Sequence, residues 1–499
     1  MTIKTRYILI FMVLTILTAI ALSTCFTSYS GGTGTLVVNI GSDYSRVAFE
    51  PAEIKAFTHT ITLTGPGETQ TQELKGEGFV TFELIPGTWN IEVRAKGDRP
   101  EVYKDDGDYA DAKFPSTMLR AMGWDTVEVK SGQNSPKTIP MKTATEVINF
   151  NQLKTAIDLA EEVKEEIILI SSDIYLEYGI NIGADFNITF LADKAVTVAI
   201  DKENISPLTF MISLNNSKLT LGRKGMRGKL IIDGSGIIST IIQVYDGKLI
   251  MNDEVIIQKG PFGAVSVSGS GRSAQGIFTM NGGTISENLN NFGNGGGVFV
   301  DENGIFTMNG GEINDNEARD GGGGVWVEDG GQFAMNGGTI SGNTDNNNGG
   351  GGVHVADGGT FKMSEGTISG NNASAGGGVC VDGGGIFKMS AGTISANEAT
   401  ICGGGVFVGF NDYTLGYGSF SKTGGTIYGN ENGIDKNLMN IVTSGDNYSP
   451  KAYGHTVYLE GSYDYSSSIF TANRKILNST AGPEINLDAN AKIPWTTIE

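Results

Sequence analysis

Between residues 277 and 408 the chain alternates apolar and polar positions in short bursts separated by glycine, and the same burst returns five times. The first copy reads Ile277-Phe278-Thr279-Met280-Asn281-Gly282-Gly283-Thr284-Ile285-Ser286-Glu287-Asn288, and after a variable stretch Gly295-Gly296-Gly297-Val298-Phe299-Val300. The anchors Met280, Met308, Met335, Met363 and Met389 are spaced by 28, 27, 28 and 26 residues. Val298, Val325, Val353, Val379 and Val406 are spaced by 27, 28, 26 and 27. A fixed period of this size marks a solenoid. Strand side chains alternate between two faces, so the two valines, the phenylalanine, the methionine and the isoleucine of each copy form an inner set. Three short strands and three turns per period describe one rung of a parallel β-helix. No rung folds alone, because its apolar face is covered only by its neighbours. About ten rungs, stacked ~4.8 Å apart, would make a rod of roughly 45–50 Å.

The flanking segments carry other patterns. Over residues 35–145, alternating runs such as Leu36-Val37-Val38-Asn39-Ile40 and Trp89-Asn90-Ile91-Glu92-Val93 are separated by turn signals, Gly65-Pro66-Gly67 and Pro86-Gly87 among them. Short strands at this spacing predict a β-sandwich, with residues 96–121 a polar loop. Pro86-Gly87-Thr88-Trp89 resembles the turn of transthyretin-like surface modules. In residues 149–165, Leu153, Ile157 and Ala160 recur at helical spacing, which predicts an amphipathic helix capping the open end of the solenoid. Irregular coils follow over 167–258. The period breaks across 431–454, and residues 476–499 read as a C-terminal cap or tail. The chain is therefore expected to be all-β: a signal segment 1–24, a linker 25–34, a sandwich 35–145 and a β-helix 146–475 entered through its cap helix.

Charge and cysteine usage narrow the setting. The chain has 499 residues, 73 of them glycine, and a net charge of −20. The block 272–410 contributes half of that charge, with 14 acidic and four basic side chains. Such a surface repels nucleic acid and anionic lipid. At the N-terminus, Lys4 and Arg6 precede an apolar run over residues 7–22, the form of an export signal. Leu22-Ser23-Thr24-Cys25 resembles a bacterial lipobox, with Thr24 where a smaller residue is usual; the resemblance implies a lipid on Cys25. The membrane is expected to be touched only through that lipid. Cys380 and Cys402 fall at different positions of successive repeats and are expected to stay unbridged.

The repeat itself resembles a known one. Gly-Gly-Gly-Val paired with Ile-Ser-x-Asn is similar to the repeat of polymorphic outer-membrane proteins, bacterial surface adhesins built on right-handed parallel β-helices. Ile285, Ile313, Ile340, Ile368 and Ile394 stand where that family has Phe, and Gly297, Gly324, Gly352, Gly378 and Gly405 where it has Ala. The resemblance implies a right-handed helix and an exported, cell-surface passenger of adhesin type. No autotransporter barrel is recognisable in the C-terminal region, so anchoring would fall to Cys25 or to a separate secretion system.

Four features carry candidate chemistry. The outward residue of the Val-x-Val strand is Phe299, Trp326, His354, Cys380 and Phe407 in turn. Stacked, these make one column. Its aromatic members Phe299, Trp326, His354 and Phe407 either bind a glycan or a protein partner or pack across rungs beneath a loop. Asn288, Asn316, Asn343, Asn371, Asn397 and Asn430 mark one turn of each rung. They read as an internal amide ladder, or as turn asparagines tolerant of left-handed backbone. Asp301, Glu302, Glu328, Asp329, Asp357 and Asp382 follow the Val strands; turn preference explains them more simply than a bound Ca²⁺. His59, His354 and His455 are far apart, and no nucleophile elbow, phosphate loop or zinc spacing appears. The expected protein is an exported, monomeric, non-enzymatic binding or adhesion module for a glycan or cell-surface protein, without cofactor or metal. The alternatives are a polysaccharide lyase or hydrolase with its site in 431–453, and a structural envelope stalk.

Overall fold

A computed structural model describes residues 32–40, 49–103, 111–201, 210–235, 239–271, 273–291, 293–347, 349–411, 416–429, 439–443 and a few short strands between 457 and 497. The signal segment, Cys25, Asn430, His455 and most of the 431–454 interruption lie outside the described residues. The chain divides into two compact units, one of residues 1–98 with 119–142, the other of residues 99–118 with 143–499.

In the first unit, Gly34–Ile40 pairs antiparallel with Gly78–Leu84. Thr58–Thr64 pairs antiparallel with both Gln70–Lys75 and Gly87–Asp98. Strict alternation along Gly34–Ile40 sends Leu36, Val38 and Ile40 into a core shared with Phe57, Ile61, Phe82, Trp89 and Ile91. The Trp89 indole N–H donates to the Ile85 carbonyl at 2.9 Å, so the Pro86-Gly87 turn is pinned from inside.

Residues 99–118 are not a loose loop of that unit but belong to the second. They contain a short 3₁₀ turn, Glu101–Tyr103. Tyr103 meets Phe114 edge-on at 4.8 Å, and its hydroxyl lies 3.2 Å from Thr145 Oγ1. Ala112 and Phe114 are buried. The two aromatics, not visible as a periodic pattern, give the segment an apolar anchor.

The helix forms over Phe150–Val163. Asn149 caps it by accepting Gln152 N–H at 2.9 Å, while Gln152 Oε1 accepts Ile148 N–H at 3.0 Å. Lys164 closes it in the left-handed conformation. Leu153, Ala156, Ile157 and Ala160 are buried.

Beyond the helix the chain is a parallel β-solenoid of about eight turns. Three faces run its length. The first carries Phe and Met inward, as in Gly276–Met280 and Gly304–Met308. The second carries Ile, as in Thr284–Ser286, and the third the valine pair, as in Val298–Val300. Phe278, Phe306, Phe333, Phe361, Phe387 and Phe420 stack in one continuous column with centroids 4.7–5.0 Å apart and rings within 14° of parallel. The repeat thus aligns like with like, Phe on Phe and Met on Met, with one local shift at Asn336 opposite Glu365. A fourth, shorter sheet was not expected: Leu289–Asn290, Glu317–Ala318, Thr344–Asp345, Asn372–Ala375, Glu398–Cys402 and Ile441–Val442 pair in order. Two-residue pairings leave too little alternation to read from sequence.

Between the Phe–Met and Ile faces, one glycine per rung has positive φ, for example Gly338 at +82°. A Cβ there would sit 2.6 Å from the Met308 methyl of the preceding rung. Backbone conformation and the methionine column therefore demand the same residue.

Candidate functional site

The Val-strand column is in register as Phe299, Trp326, His354, Cys380 and Phe407. It is not the exposed surface that ligand binding by Phe299, Trp326, His354 and Phe407 would require. Trp326 is 8% exposed, His354 4%, Cys380 0% and Phe407 9%, and Phe299 is half-buried. The glycine cluster before each Val strand lies flat on the column. A Cβ at Gly321 would fall 2.3 Å from the Trp326 ring, one at Gly349 2.3 Å from His354 Nδ1, and one at Gly403 2.8 Å from Phe407 Cβ. The clusters are glycine because a side chain would displace what they cover. Cys380 and Cys402 share a buried cluster with Phe407, and neither is in a disulfide.

A polar centre interrupts this column. The Trp326 and His354 rings lie 4.0 Å apart, and Trp326 Nε1–H donates to Glu328 at 2.7 Å. His354 Nε2 lies 2.9 Å from Asp382 Oδ2, and the Cys380 thiol 3.8 Å from Asp382 Oδ1. On the other side of the ring, Gly350 N–H donates to Nδ1 at 3.2 Å. Asp345 is 3% exposed; its Oδ2 accepts Gly349 N–H, and its Oδ1 has no hydrogen-bond partner among the described residues. Burial pushes its carboxyl above the usual range, opposed by the Gly349 and Asn347 amides and by His354. Among the described residues, His354, Cys380 and Asp382 are the one group of His, Cys, Asp or Glu with three possible metal-ligating atoms close together, all within 4.8 Å of one another. The pattern was present in the sequence as a His and a Cys in one column and an Asp two residues on. The acidic turn residues do not converge: Glu328 and Asp382 hold column side chains, and Asp301 accepts Glu302 N–H.

The asparagines form a buried ladder. Asn288, Asn316, Asn343 and Asn371 each donate Nδ2–H to the Oδ1 of the next, at 2.8–3.0 Å, and Asn371 donates to Asn397 at 2.9 Å. Each Oδ1 from Asn316 onward also accepts the preceding asparagine's backbone N–H. The sixth place belongs to Asn440, 2.9 Å from Asn397 Nδ2, not to Asn430. The partner offset is 33 at Ile394–Ile427, 43 at Asn397–Asn440 and 51 at Val406–Val457, so extra residues enter both before and after this turn. A second, exposed ladder escaped notice: Asn252, Asn281, Asn309, Asn336 and Ser364 are linked side chain to side chain at 2.8–3.1 Å. Its signal is the Asn that follows Met251, Met280, Met308 and Met335, replaced by Ser after Met363.

An open depression of ≈480 Å³ lies beside the Gly282-Gly283 turn, lined by Met226, Asp253, Glu254, Thr284 and Glu312 among others. Among the described residues no basic side chain lines it. His59 is buried in the first unit, remote in sequence from this column.

No family model, curated protein or solved structure matches this chain.

Proposed function

We propose that the chain is an exported cell-surface module that binds an extended ligand, a glycan chain or a surface protein, without catalysing a reaction. The observation that carries this reading is the outward side of the Ile face. Thr284, Glu312, Thr339, Thr367, Thr393 and Thr426 form one in-register column, and Ser286, Asn314, Ser341, Ser369 and Ser395 a second beside it. The threonines are half-buried, so their hydroxyls recur in a strip along this face, ~4.8 Å per rung, interrupted by Glu312, while Ser286 and Ser395 of the second column are buried. Hydroxyls donate and accept, so the strip suits a polymer that repeats its own polar groups. Similarity of the repeat to polymorphic outer-membrane passengers supports display at the cell surface, and Cys25 is the proposed lipid anchor. No helix among the described residues is long and apolar enough to cross a membrane.

A structural stalk is the second reading, favoured by the covered column and the two amide ladders. A glycan array probed with the full chain, together with protease added to intact cells, separates the readings. The binding module predicts surface cleavage, and array binding lost on Thr339→Lys with Thr367→Lys. Binding that survives that double change overturns the Ile-face assignment. Exposure without any array ligand favours the stalk, and sugar release from a polysaccharide would replace both readings with an enzyme.

A further inference from the structure

We propose that His354, Cys380 and Asp382 bind one borderline-soft divalent cation of the Zn²⁺ class, with Asp345 orienting the histidine from behind. The donor set is an imidazole nitrogen, a thiolate and a carboxylate, a combination zinc accepts and the harder Mg²⁺ and Ca²⁺ do not favour. In a tetrahedral site with bonds of ~2.0–2.3 Å, neighbouring donor atoms stand roughly 3.3–3.8 Å apart. Here Nε2 and Oδ2 are 2.9 Å apart, and Sγ and Oδ1 3.8 Å. Small side-chain rotations are enough to admit the ion. The backbone already holds the ligands: His354 and Cys380 are hydrogen-bonded cross-rung neighbours, and Asp382 follows Cys380 on the same side of the chain.

Asp345 is the independent observation. Its rung neighbour at the same register position is Ala318, yet here a carboxylate is buried with one oxygen unsatisfied. It lies on the Nδ1 side of His354: Gly349 N–H donates to Asp345, and the next amide, Gly350 N–H, donates to Nδ1. When Nε2 gives its lone pair to a metal, the ring proton must move to Nδ1 and needs an acceptor. Metal-bound histidines characteristically find a carboxylate there. Asp345 is the carboxylate available on that side, and it becomes the acceptor once its side chain closes on Nδ1 and Gly350 N–H turns aside, shifts that glycines 349–352 permit. Binding forms an Sγ–metal bond and releases the Cys380 thiol proton to solvent. The Asp382 side chain is 45% exposed, so a water can complete the coordination. The ion would rivet two adjacent rungs where the aromatic column is interrupted.

The test uses the full chain, reduced with a phosphine, stripped with chelator and titrated with Co²⁺. One equivalent should bind, giving a thiolate-to-cobalt charge-transfer band in the near ultraviolet and visible bands of tetrahedral intensity, both erased by Zn²⁺. Cys380→Ser should remove the charge-transfer band, and Cys402→Ser should leave it. Asp345→Asn should keep the band but weaken affinity about 10–100-fold. Absence of the band in the folded wild type, or its persistence in Cys380→Ser, overturns the site; unchanged affinity in Asp345→Asn overturns the role of Asp345. Circular dichroism checks each variant's fold. If Cys380→Ser does not fold, Asp382→Asn at the half-exposed ligand decides: unchanged Co²⁺ affinity there rejects the proposal.

Discussion

Asn343→Ala tests what holds one rung to the next. The Asn343 side chain makes four buried hydrogen bonds: it donates to Ile313 O at 3.0 Å and to Asn371 Oδ1 at 2.9 Å, and accepts Asn316 N–H and Nδ2–H, both at 3.0 Å. Truncation leaves three buried groups without those partners, the Asn316 backbone N–H, one Asn316 amide hydrogen and the Ile313 carbonyl. Asn371 Oδ1 is spared, because it still accepts Asn343 N–H. At about 1–3 kcal/mol for each orphaned group, partly relieved by relaxation, the cost is about 3–6 kcal/mol. The control is Asn309→Ala in the exposed ladder, where water replaces both lost bonds and the cost stays below about 1 kcal/mol. A stack of rungs opens locally, so one global unfolding energy is the wrong measure. Hydrogen exchange resolved by peptide over residues 304–345 of the full chain reads the local opening energy directly. If Asn343→Ala lowers that energy no more than Asn309→Ala does, the buried ladder is not what couples the rungs.

Three further predictions follow from the core. Phe333→Ala removes a ring stacked at 4.7 Å on both sides and should cost about 3–5 kcal/mol, with hydrogen-exchange protection falling first in the two flanking rungs. Lys422 is 1% exposed where the rung before has Met389, and burial lowers its pKa. The folded state therefore resists the charge, and stability should rise with pH between that lowered pKa and the ordinary lysine value of about 10.4; Lys422→Met should stabilise the last rungs at neutral pH, and the gain should shrink across that alkaline window. Burial likewise holds His59 below the usual histidine value. The first unit should lose stability as pH falls from about 6.5 through that lowered pKa, and His59→Leu should flatten the loss, read from denaturant midpoints followed by Trp89 fluorescence.

The rung was legible because its inner positions repeat through all five copies, Lys422 in place of Met coming only in the rung after them. Phe, Met, Ile and Val recur where alternation places them, and all are buried. Outward positions carry no such rule. Whether Trp326 faces water depends on where the glycine turn before it folds, and alternation does not encode that. The residue spacing also hid the polar centre: Asp345 lies nine residues before His354, and the two are linked only through neighbouring amides, Gly349 N–H donating to Asp345 and Gly350 N–H to the ring. The Asn440 step failed differently. Asn430 follows Ile427 by three residues as Asn397 follows Ile394, so spacing favours it, and only pairing shows that Asn440 takes the place.

Like-on-like register also bears on how the gene can change. Met308 and Met335 occupy equivalent places, as do Asn316 and Asn343. Excising residues 309–335 would join Met308 to Asn336, bring Phe306 onto Phe361 and pass the Asn288 amide to Asn343, with every seam of a kind the chain already contains. Unequal crossing-over within the repeat can therefore lengthen or shorten the protein by whole rungs in a single event. Length becomes a heritable variable separable from fold, whereas a slip of one residue would turn each buried side chain outward and be eliminated.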